Sequence, residues 1–323
     1  MFDLIISFFQ LRPAIQFFST HNFQFTELFL AFQELNPTEQ LSILLPPLFP
    51  FFLLAEMAFL CCTKVAKQHA KRLCTPILSY VLQVLIGLIF TIDFASFCYN
   101  YLHPYALFTF NLSWSELFAS FVIWEFAHFV FHYSSHKVRI LWCFHSPHHA
   151  PDYMNLSVVY VNNFFQGIYA QVCRVTICTL AGLDIQLILC CMFIDFCWGA
   201  LIHFSEELWP SGITGIKFID KLFLMPLHHR VHHAKNPTFI DTNFCNTLPL
   251  WDRIFGTYKE PEAGEKPHYG ITRPLKQTNF FDLQFGEIYL LLRDLIQTKS
   301  WKQRLQLIFY PPDWKPNQQN TKA

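Results

Sequence analysis

Residues 132–149 read HYSSHKVRILWCFHSPHH, and this stretch decides both the fold and the chemistry expected of the chain. It contains two histidine patterns, HxxxH at 132–136 and HxxHH at 145–149. Side chains three or four residues apart lie on one face of a helix, so each pattern directs its imidazoles toward one point. The spacing therefore predicts two helices that carry converging histidines.

A second HxxHH pattern at 229–233 and the isolated His203 extend this set. Neutral imidazole is a strong ligand for first-row transition metals, and nine converging imidazoles are too many for one tetrahedral zinc ion. Burying them without partners would cost about 1–3 kcal/mol for each unsatisfied group, so packing alone does not explain them. The count predicts two metal ions sharing one site, with the ligands His132, His136, His145, His148, His149, His203, His229, His232 and His233.

The remaining histidines are less informative. His128 and His228 each adjoin a pattern without completing it, and the sequence leaves open whether they bind metal, support a ligand or pack. The others are expected to be ordinary polar positions: His21, His69, His103 and His268.

The composition indicates an integral membrane protein. Hydrophobic residues make up 53% of the chain and charged residues 14%, and there are 38 phenylalanines, more apolar surface than a core of 323 residues can hide from water. Lys and Arg (23) balance Asp and Glu (23), which leaves no basic surplus for a phosphate backbone. Nucleic acid is therefore excluded as an expected partner.

Five apolar runs predict a bundle of about four membrane spans, in which the last two runs form a helical hairpin that returns to its own side. The third opens with a capping box formed by Ser113 and Glu116, and the last two meet at a turn, Gly182-Leu183-Asp184, as a helical hairpin. Each run is long enough to cross about 30 Å of hydrocarbon at about 1.5 Å per residue. The runs are 41–62, 76–98, 113–131, 164–182 and 185–203.

Basic residues set the expected orientation. The loop at 63–75 holds three lysines and Arg72 without an acid, which places it on the cytoplasmic side. The histidine patterns and the C-terminus then share that side. The expected fold is an all-α integral membrane helical bundle with a cytosolic, histidine-rich helical cap that holds a dinuclear metal site. Its expected parts are an interfacial segment (1–40), a membrane-embedded catalytic domain (41–275) and a cytosolic tail (276–323).

The ordered histidine patterns resemble those of the fatty acid hydroxylase and sterol desaturase superfamily, membrane oxygenases that contain two iron ions. Further matching motifs are MNLS at 154–157, DTNF at 241–244 and WDRIFGTY at 251–258. The resemblance covers about residues 80–275. Within the superfamily, NLS at 155–157, HHRVHH at 228–233 and YGIT at 269–272 most resemble the motifs of the alkylglycerol monooxygenase branch and its bacterial relatives.

Three positions beside the first pattern depart from the superfamily. Glu125 stands where an aspartate is common, Tyr133 replaces the arginine that often follows the first histidine, and His128 occupies a position that is often aromatic. The expected ligands are unchanged by these departures.

The resemblance implies an O2-dependent lipid hydroxylase with two Fe2+ ions. Two ferrous ions can supply two electrons to O2, enough to attack an unactivated C–H bond that no side-chain acid or base could reach. The expected substrate is a membrane lipid, with the O-alkyl carbon of an ether lipid as the favoured target. Glu206 and Glu207 are candidates to orient imidazoles or to relay protons, with solvated positions at a helix end as the alternative. Asn155 is a candidate to bond an imidazole or a bound water.

The expected electron donor is external. These residues contain no GxGxxG after a strand and no CxxC pattern, so electrons are expected from another protein or from a diffusible reductant. The resemblance makes reduced pterin, tetrahydrobiopterin, one candidate. The expected location is a multi-pass protein of the bacterial inner membrane or the endoplasmic reticulum.

Two alternatives remain open at this point. The first is a lipid desaturase, a C-5 sterol desaturase or a carotenoid hydroxylase of the same superfamily, which product analysis would distinguish. The second is a membrane metal or haem carrier without catalysis. A carrier needs ionisable groups along a path through the bilayer, and Glu56 and Asp93 are too few.

Overall fold

The computed structural model describes residues 97–110, 113–260, 265–273 and 279–316, together with single positions between 16 and 82. In these parts the chain is helical and has no β-strand, apart from an isolated antiparallel bridge between Ala234 and Tyr269. The expected all-α class is confirmed. The predicted spans at 41–62 and 76–98 and the basic loop between them lie almost entirely outside the described residues.

The described helices follow one another with short connections. Residues 97–102 are helical and continue into a 3-10 turn, His103–Tyr105, and a second 3-10 helix, Leu156–Tyr160, lies between the second and third long helices. The α-helices are α1 (Trp114–Lys137), α2 (Arg139–His149), α3 (Gln166–Ala181), α4 (Ile185–Ile202), α5 (Lys217–Leu222), α6 (Pro226–His232), α7 (Leu250–Phe255), α8 (Phe280–Gln297) and α9 (Trp301–Phe309).

Helix α1 begins at the predicted cap and runs past the predicted end of the span. The Ser113 hydroxyl accepts a hydrogen bond from the backbone N–H of Glu116. No Gly or Pro interrupts the next 24 residues, so the helix continues through His136. A single extended residue, Val138, then separates α1 from α2. The two helices pack against each other, and their histidine patterns meet.

The predicted helical hairpin is confirmed to within two residues. Helix α3 ends at Gly182, whose φ of 104° lies in the left-handed region that favours glycine. Asp184 then caps α4 by accepting a hydrogen bond from the backbone N–H of Gln186 at 2.7 Å. The second arm of the hairpin therefore delivers His203 to the end of α4, as predicted.

Helix α4 is the one helix among the described residues that is long and apolar enough to cross a membrane. About 39% of it is buried inside the protein, and a single such helix is weak evidence of a span. The expected count of about four spans therefore stays a prediction.

Buried charges tie the apolar helices together. Asp195 of α4 contacts His128 of α1 and Arg174 of α3, and it accepts a hydrogen bond from the Asn246 side chain at 2.8 Å. Glu125 of α1 is fully buried. A buried carboxylate is stable only when it is paired or hydrogen-bonded, so these contacts hold the helices in one arrangement.

The segment placed by the sequence in a cytosolic tail packs against α2. Leu291 of α8 and Leu307 of α9 are buried against Cys143 of α2, and Arg139 at the start of α2 forms an ion pair with Asp294 of α8 at 2.5 Å. The opposite face of this helix pair leaves large apolar side chains exposed, including those of Phe281, Tyr289, Ile296 and Trp301.

The hairpin corner supplies a stability test. Replacing Gly182 with Ala should destabilise the protein by at least about 2 kcal/mol, because the left-handed backbone penalises a Cβ and that Cβ would overlap the carbonyl of Phe108. Gly167→Ala near the start of α3 meets no atom within 4 Å, so it should be neutral or stabilising by up to about 1 kcal/mol. Thermal unfolding in detergent measures both, and equal melting temperatures for the two variants would contradict the corner geometry.

Candidate metal centre

The structure brings all nine predicted histidines together, and every one of them is buried. Within each of two groups, the candidate ligand atoms lie no more than 4.8 Å apart. The first group has five members, His132, His136, His145, His149 and His232. The second has four, His148, His203, His229 and His233.

Four helices supply these side chains. Helix α1 carries the first pattern, α2 carries the second, and α6 carries the third, while His203 ends α4. The two HxxHH patterns each contribute to both groups, because a spacing of three and a spacing of four point to slightly different sides of one helix face. The two groups are therefore interleaved rather than separate sites.

Backbone carbonyls fix the protonation of several rings. The Nδ1 atom of His132 lies 2.8 Å from the Phe244 carbonyl oxygen, that of His232 lies 2.7 Å from Thr242 O, and that of His203 lies 2.5 Å from Gly199 O. A carbonyl oxygen can only accept, so each Nδ1 carries the proton. The Nε2 atom of each neutral ring is then an unprotonated lone pair.

Polar side chains orient two further rings. His145 Nδ1 lies 3.2 Å from Oε1 of Gln166, whose amide nitrogen donates to Asn162 Oδ1 at 3.0 Å. His136 Nδ1 lies 3.5 Å from Asp241, which also pairs with Lys137. Asp241 has a φ of 64°, so a left-handed backbone turns its carboxylate toward the cluster.

Several Nε2 atoms converge, and in one close pair neither nitrogen carries a proton. The Nε2 atoms of His132 and His145 lie 3.1 Å apart, while the Nδ1 atoms of both rings face oxygen acceptors. Two lone pairs at this distance repel each other unless a cation lies between them. His232 Nε2 is buried and has no hydrogen-bond partner at all. The donor set therefore fits bound metal cations.

The spacing of the nitrogens agrees with this chemistry. Imidazole nitrogen binds a metal such as zinc at about 2.0–2.1 Å, so neighbouring ligands in tetrahedral or octahedral arrangement lie roughly 2.8–3.4 Å apart. The close Nε2 pairs measure 2.9–3.4 Å. Hydrogen-bonded packing would need one ring of each pair to donate an Nε2 proton, and the outward Nδ1 bonds of both His132 and His145 leave neither ring able to do so.

Burial keeps the imidazoles in the form that binds metal. It lowers the pKa of each ring well below its ordinary value, and the neighbouring imidazoles lower the pKa further. Neutral imidazole is the ligand form, so the cluster is ready for a cation at neutral pH. This holds for His145, His148, His149, His229, His232 and His233.

Two buried acids bind the backbone of the loop that follows Thr242, whose carbonyl oxygens orient His132 and His232. Asp252 of α7 accepts hydrogen bonds from the backbone N–H groups of Phe244 and Cys245, both at 2.8 Å. Glu125, the departure from the superfamily pattern, accepts from Thr247 N at 3.0 Å and Leu248 N at 2.9 Å. Because this loop has no regular structure, the two carboxylates satisfy backbone donors that would otherwise be buried unpaired.

The predicted catalytic residues lie apart from the imidazoles. Glu206 and Glu207 are exposed, and Glu206 accepts a hydrogen bond from the Tyr269 hydroxyl. Asn155 is buried, and its Oδ1 accepts from the backbone N–H of Ser157 at 2.9 Å, which caps the 3-10 helix. None of the three belongs to either histidine group.

The ambiguous histidines also lie outside the two groups. His228 accepts a hydrogen bond from Met225 N at its Nδ1, and its Nε2 lies 3.1 Å from the Tyr258 hydroxyl, so both ring nitrogens are occupied. His128 contacts Asp195. His103 and His268 are exposed and separate, while His21 and His69 lie outside the described residues.

Sequence reasoning missed several supporting residues. Asp195 and Arg174 were counted within apolar runs, and Gln166 was not singled out. A signal was available for the first two, since an ionisable residue inside a predicted span is rare and has a partner. Gln166 gave no such signal, because it reaches His145 only after α3 packs beside α2.

A cavity of about 410 Å³ reaches the cluster from one side. His136, His149, His232 and His233 lie along it, and the Trp142 ring is 5.2 Å from that of His136. Its other walls carry charged side chains, including Arg139, Asp241, Arg273, Glu287, Arg293 and Asp294. Such walls favour a polar solute over a hydrocarbon chain.

Comparison with known proteins matches the part of the chain that holds the cluster. Residues 117–257 match the fatty acid hydroxylase family model, and this range contains all nine histidines. Alkylglycerol monooxygenase of Xenopus tropicalis is 32% identical over 59% of this chain and 41% of its own length. The Homo sapiens enzyme of the same name is 28% identical over 75% of this chain and 52% of its own length.

A bacterial protein also matches part of this chain. Ornithine lipid hydroxylase OlsE of Rhizobium tropici is 25% identical over 47% of this chain and 44% of its own length. No solved structure matches significantly. The chain thus spans about half, or less, of the length of these relatives. Residues 117–257 are accordingly similar to the fatty acid hydroxylase family, and this part of the chain resembles alkylglycerol monooxygenase.

Proposed function

We propose that this protein is a membrane-bound lipid hydroxylase whose nine clustered histidines bind two iron ions. The observation that carries the proposal is the convergence of nine buried imidazoles in two interleaved groups, within a part of the chain whose relatives are named monooxygenases and hydroxylases. A redox-active metal is required because zinc cannot supply electrons to O2. When bound, a ferrous pair would supply the electrons that activate O2 for attack on a C–H bond.

The protein's own residues would hold the site rigid and dry. The five-histidine group and the four-histidine group would each hold one ion. Backbone carbonyls keep the Nδ1 protons facing outward, so the Nε2 atoms cannot turn away. The Phe244 ring packs 5.1–5.8 Å from the rings of His132, His136 and His232, which keeps water off that side of the cluster.

The charged cavity supports an external, water-soluble electron donor. Its walls suit a polar solute, and it contacts members of both histidine groups. A small reductant, with tetrahydrobiopterin as the candidate, or a redox partner protein would supply two electrons from this side. One oxygen atom of O2 would then enter the substrate, and the other would leave as water.

The favoured substrate is a membrane lipid with an O-alkyl chain. This choice rests on the alkylglycerol monooxygenase relatives. Helix α4 and the apolar runs at 41–62 and 76–98 would anchor a multi-pass protein, with the histidine cluster on the cytoplasmic side of a bacterial inner membrane or the endoplasmic reticulum. The proposed parts are an interfacial segment (1–40), a membrane-embedded catalytic domain (41–275) and a cytosolic tail (276–323).

Ligand removal is the first test. His148→Ala and His232→Ala should each abolish turnover and lower the iron content of purified protein from about two per chain, because each leaves an open coordination position. His268→Ala is the matched control, since that ring is exposed and outside both groups. Two irons and normal turnover in well-folded His232→Ala protein would refute the assigned site.

The variant His228→Ala tests whether His228 binds a metal ion or only stabilises the surrounding structure. We expect it to retain two irons, because its two nitrogens are already used by Met225 and Tyr258. The loss of these buried hydrogen bonds should lower the free energy of unfolding by about 1–3 kcal/mol. Metal analysis and thermal unfolding measure both effects, and loss of one iron would make His228 a ligand.

Isotope labelling tests the reaction itself. Protein supplied with reductant, 18O2 and an alkylglycerol should hydroxylate the carbon next to the ether oxygen and form a hemiacetal that breaks into glycerol and a fatty aldehyde. Immediate reduction of that aldehyde to the alcohol traps the label for mass spectrometry. An unlabelled product two hydrogens lighter would indicate a desaturase instead, and the His232→Ala protein gives the background.

A further inference from the structure

One buried carboxylate bridges two loops beside the cluster. Glu56 is fully buried, and it comes from the first apolar run, 41–62. Its Oε2 accepts a hydrogen bond from the backbone N–H of Leu156 at 2.7 Å, and its Oε1 accepts one from the backbone N–H of Ser205, also at 2.7 Å. Both oxygens of this one side chain are therefore used to join two backbone segments that are far apart in the sequence.

The bridged loops adjoin two members of the four-histidine group. Ser205 lies two residues after His203, and Leu156 begins the 3-10 helix that follows the second pattern, which contains His148. The Nε2 atoms of His148 and His203 are 3.4 Å apart. Leu156 also packs against Ala200 of α4. The bridge therefore joins the segments on which this pair of rings depends.

Arg230 binds the backbone carbonyl oxygens of the same loop. It is 1% exposed, and its guanidinium donates to the carbonyl oxygens of Phe204 and Ser205 at 3.1 Å and of Trp209 at 2.8 Å. Ser205 is thus held by its N–H through Glu56 and by its carbonyl through Arg230. Because Arg230 follows His229 directly, the loop is fixed between the first apolar run and the third histidine pattern.

We propose that Glu56 is a positioning residue that sets His203 against His148 and so shapes the four-histidine group, and not the five-histidine group. This inference rests on the proposed function insofar as the groups bind iron. Glu56 contacts none of the supports found for the five-histidine group. These supports are the carbonyls of Phe244 and Thr242 and the side chains of Gln166 and Asp241.

The replacement Glu56→Gln tests this role with the smallest change in volume. The amide keeps one acceptor oxygen, and its NH2 group faces one of the two backbone N–H donors, so one of the bonds is lost and replaced by repulsion. In the full-length protein loaded with 57Fe, we expect the affinity of one ion to fall about 10–100-fold, as for other supports of ligating histidines. Bound iron should fall from two to one per chain, and one of two Mössbauer signals should remain unchanged.

Asp184→Ala is the matched control. It removes the cap at the other end of α4, so it destabilises the same helix without touching the loop at 204–210. It should lower the melting temperature and keep both irons. A merely structural role for Glu56 would give the same result in Glu56→Gln, which would overturn the inference, as would loss of both irons together in folded protein.

Hydrogen exchange without iron separates this inference from the proposed function. Glu56→Gln should speed amide exchange at 155–160 and 203–210 relative to wild type and leave 242–258 unchanged. Unchanged exchange at both bridged loops would overturn the positioning role. If the wild-type protein takes up no iron, the proposed function fails, while the exchange pattern still decides whether Glu56 fixes these loops.

Discussion

The outward hydrogen bonds of the histidine Nδ1 atoms are the constraint on which the rest of the structure depends. Fixed carbonyls at Phe244, Thr242 and Gly199 hold these protons, and they leave the Nε2 lone pairs facing one another at the centre of the protein. Such an arrangement is unfavourable without a cation, and it is maintained by the packing of four helices around it. The protein thus builds its metal site by fixing the ligands from outside.

Buried acidic side chains fix the backbone of the segments that connect these helices. Asp252, Glu125 and Glu56 each accept hydrogen bonds from two backbone N–H groups, which lie in irregular segments or, for Leu156, at the first residue of a 3-10 helix. These segments carry the carbonyls of Thr242 and Phe244, adjoin His203, or follow the second histidine pattern. The desolvation of three carboxylates is costly, and their pairing with backbone donors offsets it while it fixes the loops.

The surroundings of the cluster differ from side to side. The cavity that reaches His136 and His233 is walled by charged groups, whereas α4 and the outer face of α8 present large apolar side chains such as Phe196 and Ile296. The water-soluble reductant and the lipid that we propose need opposite environments. A site between a polar cavity and apolar helices can receive the reductant through the cavity and the lipid from the apolar side.

The sequence by itself determined the helical class, the helical hairpin at Gly182 and the nine histidines that come together, because these follow from local periodicity, left-handed turn geometry and residue type. It also pointed to the family through the order of its motifs. Only the packing of separate elements determined which histidines share a group, that both nitrogens of His228 are occupied, and that Glu206 and Glu207 are exposed and outside both groups. Those outcomes depend on contacts between residues such as Glu56 and Ser205, which are 149 positions apart. Spacing along one helix cannot encode such contacts, since they arise only when separate elements pack and each buried polar group must find a partner.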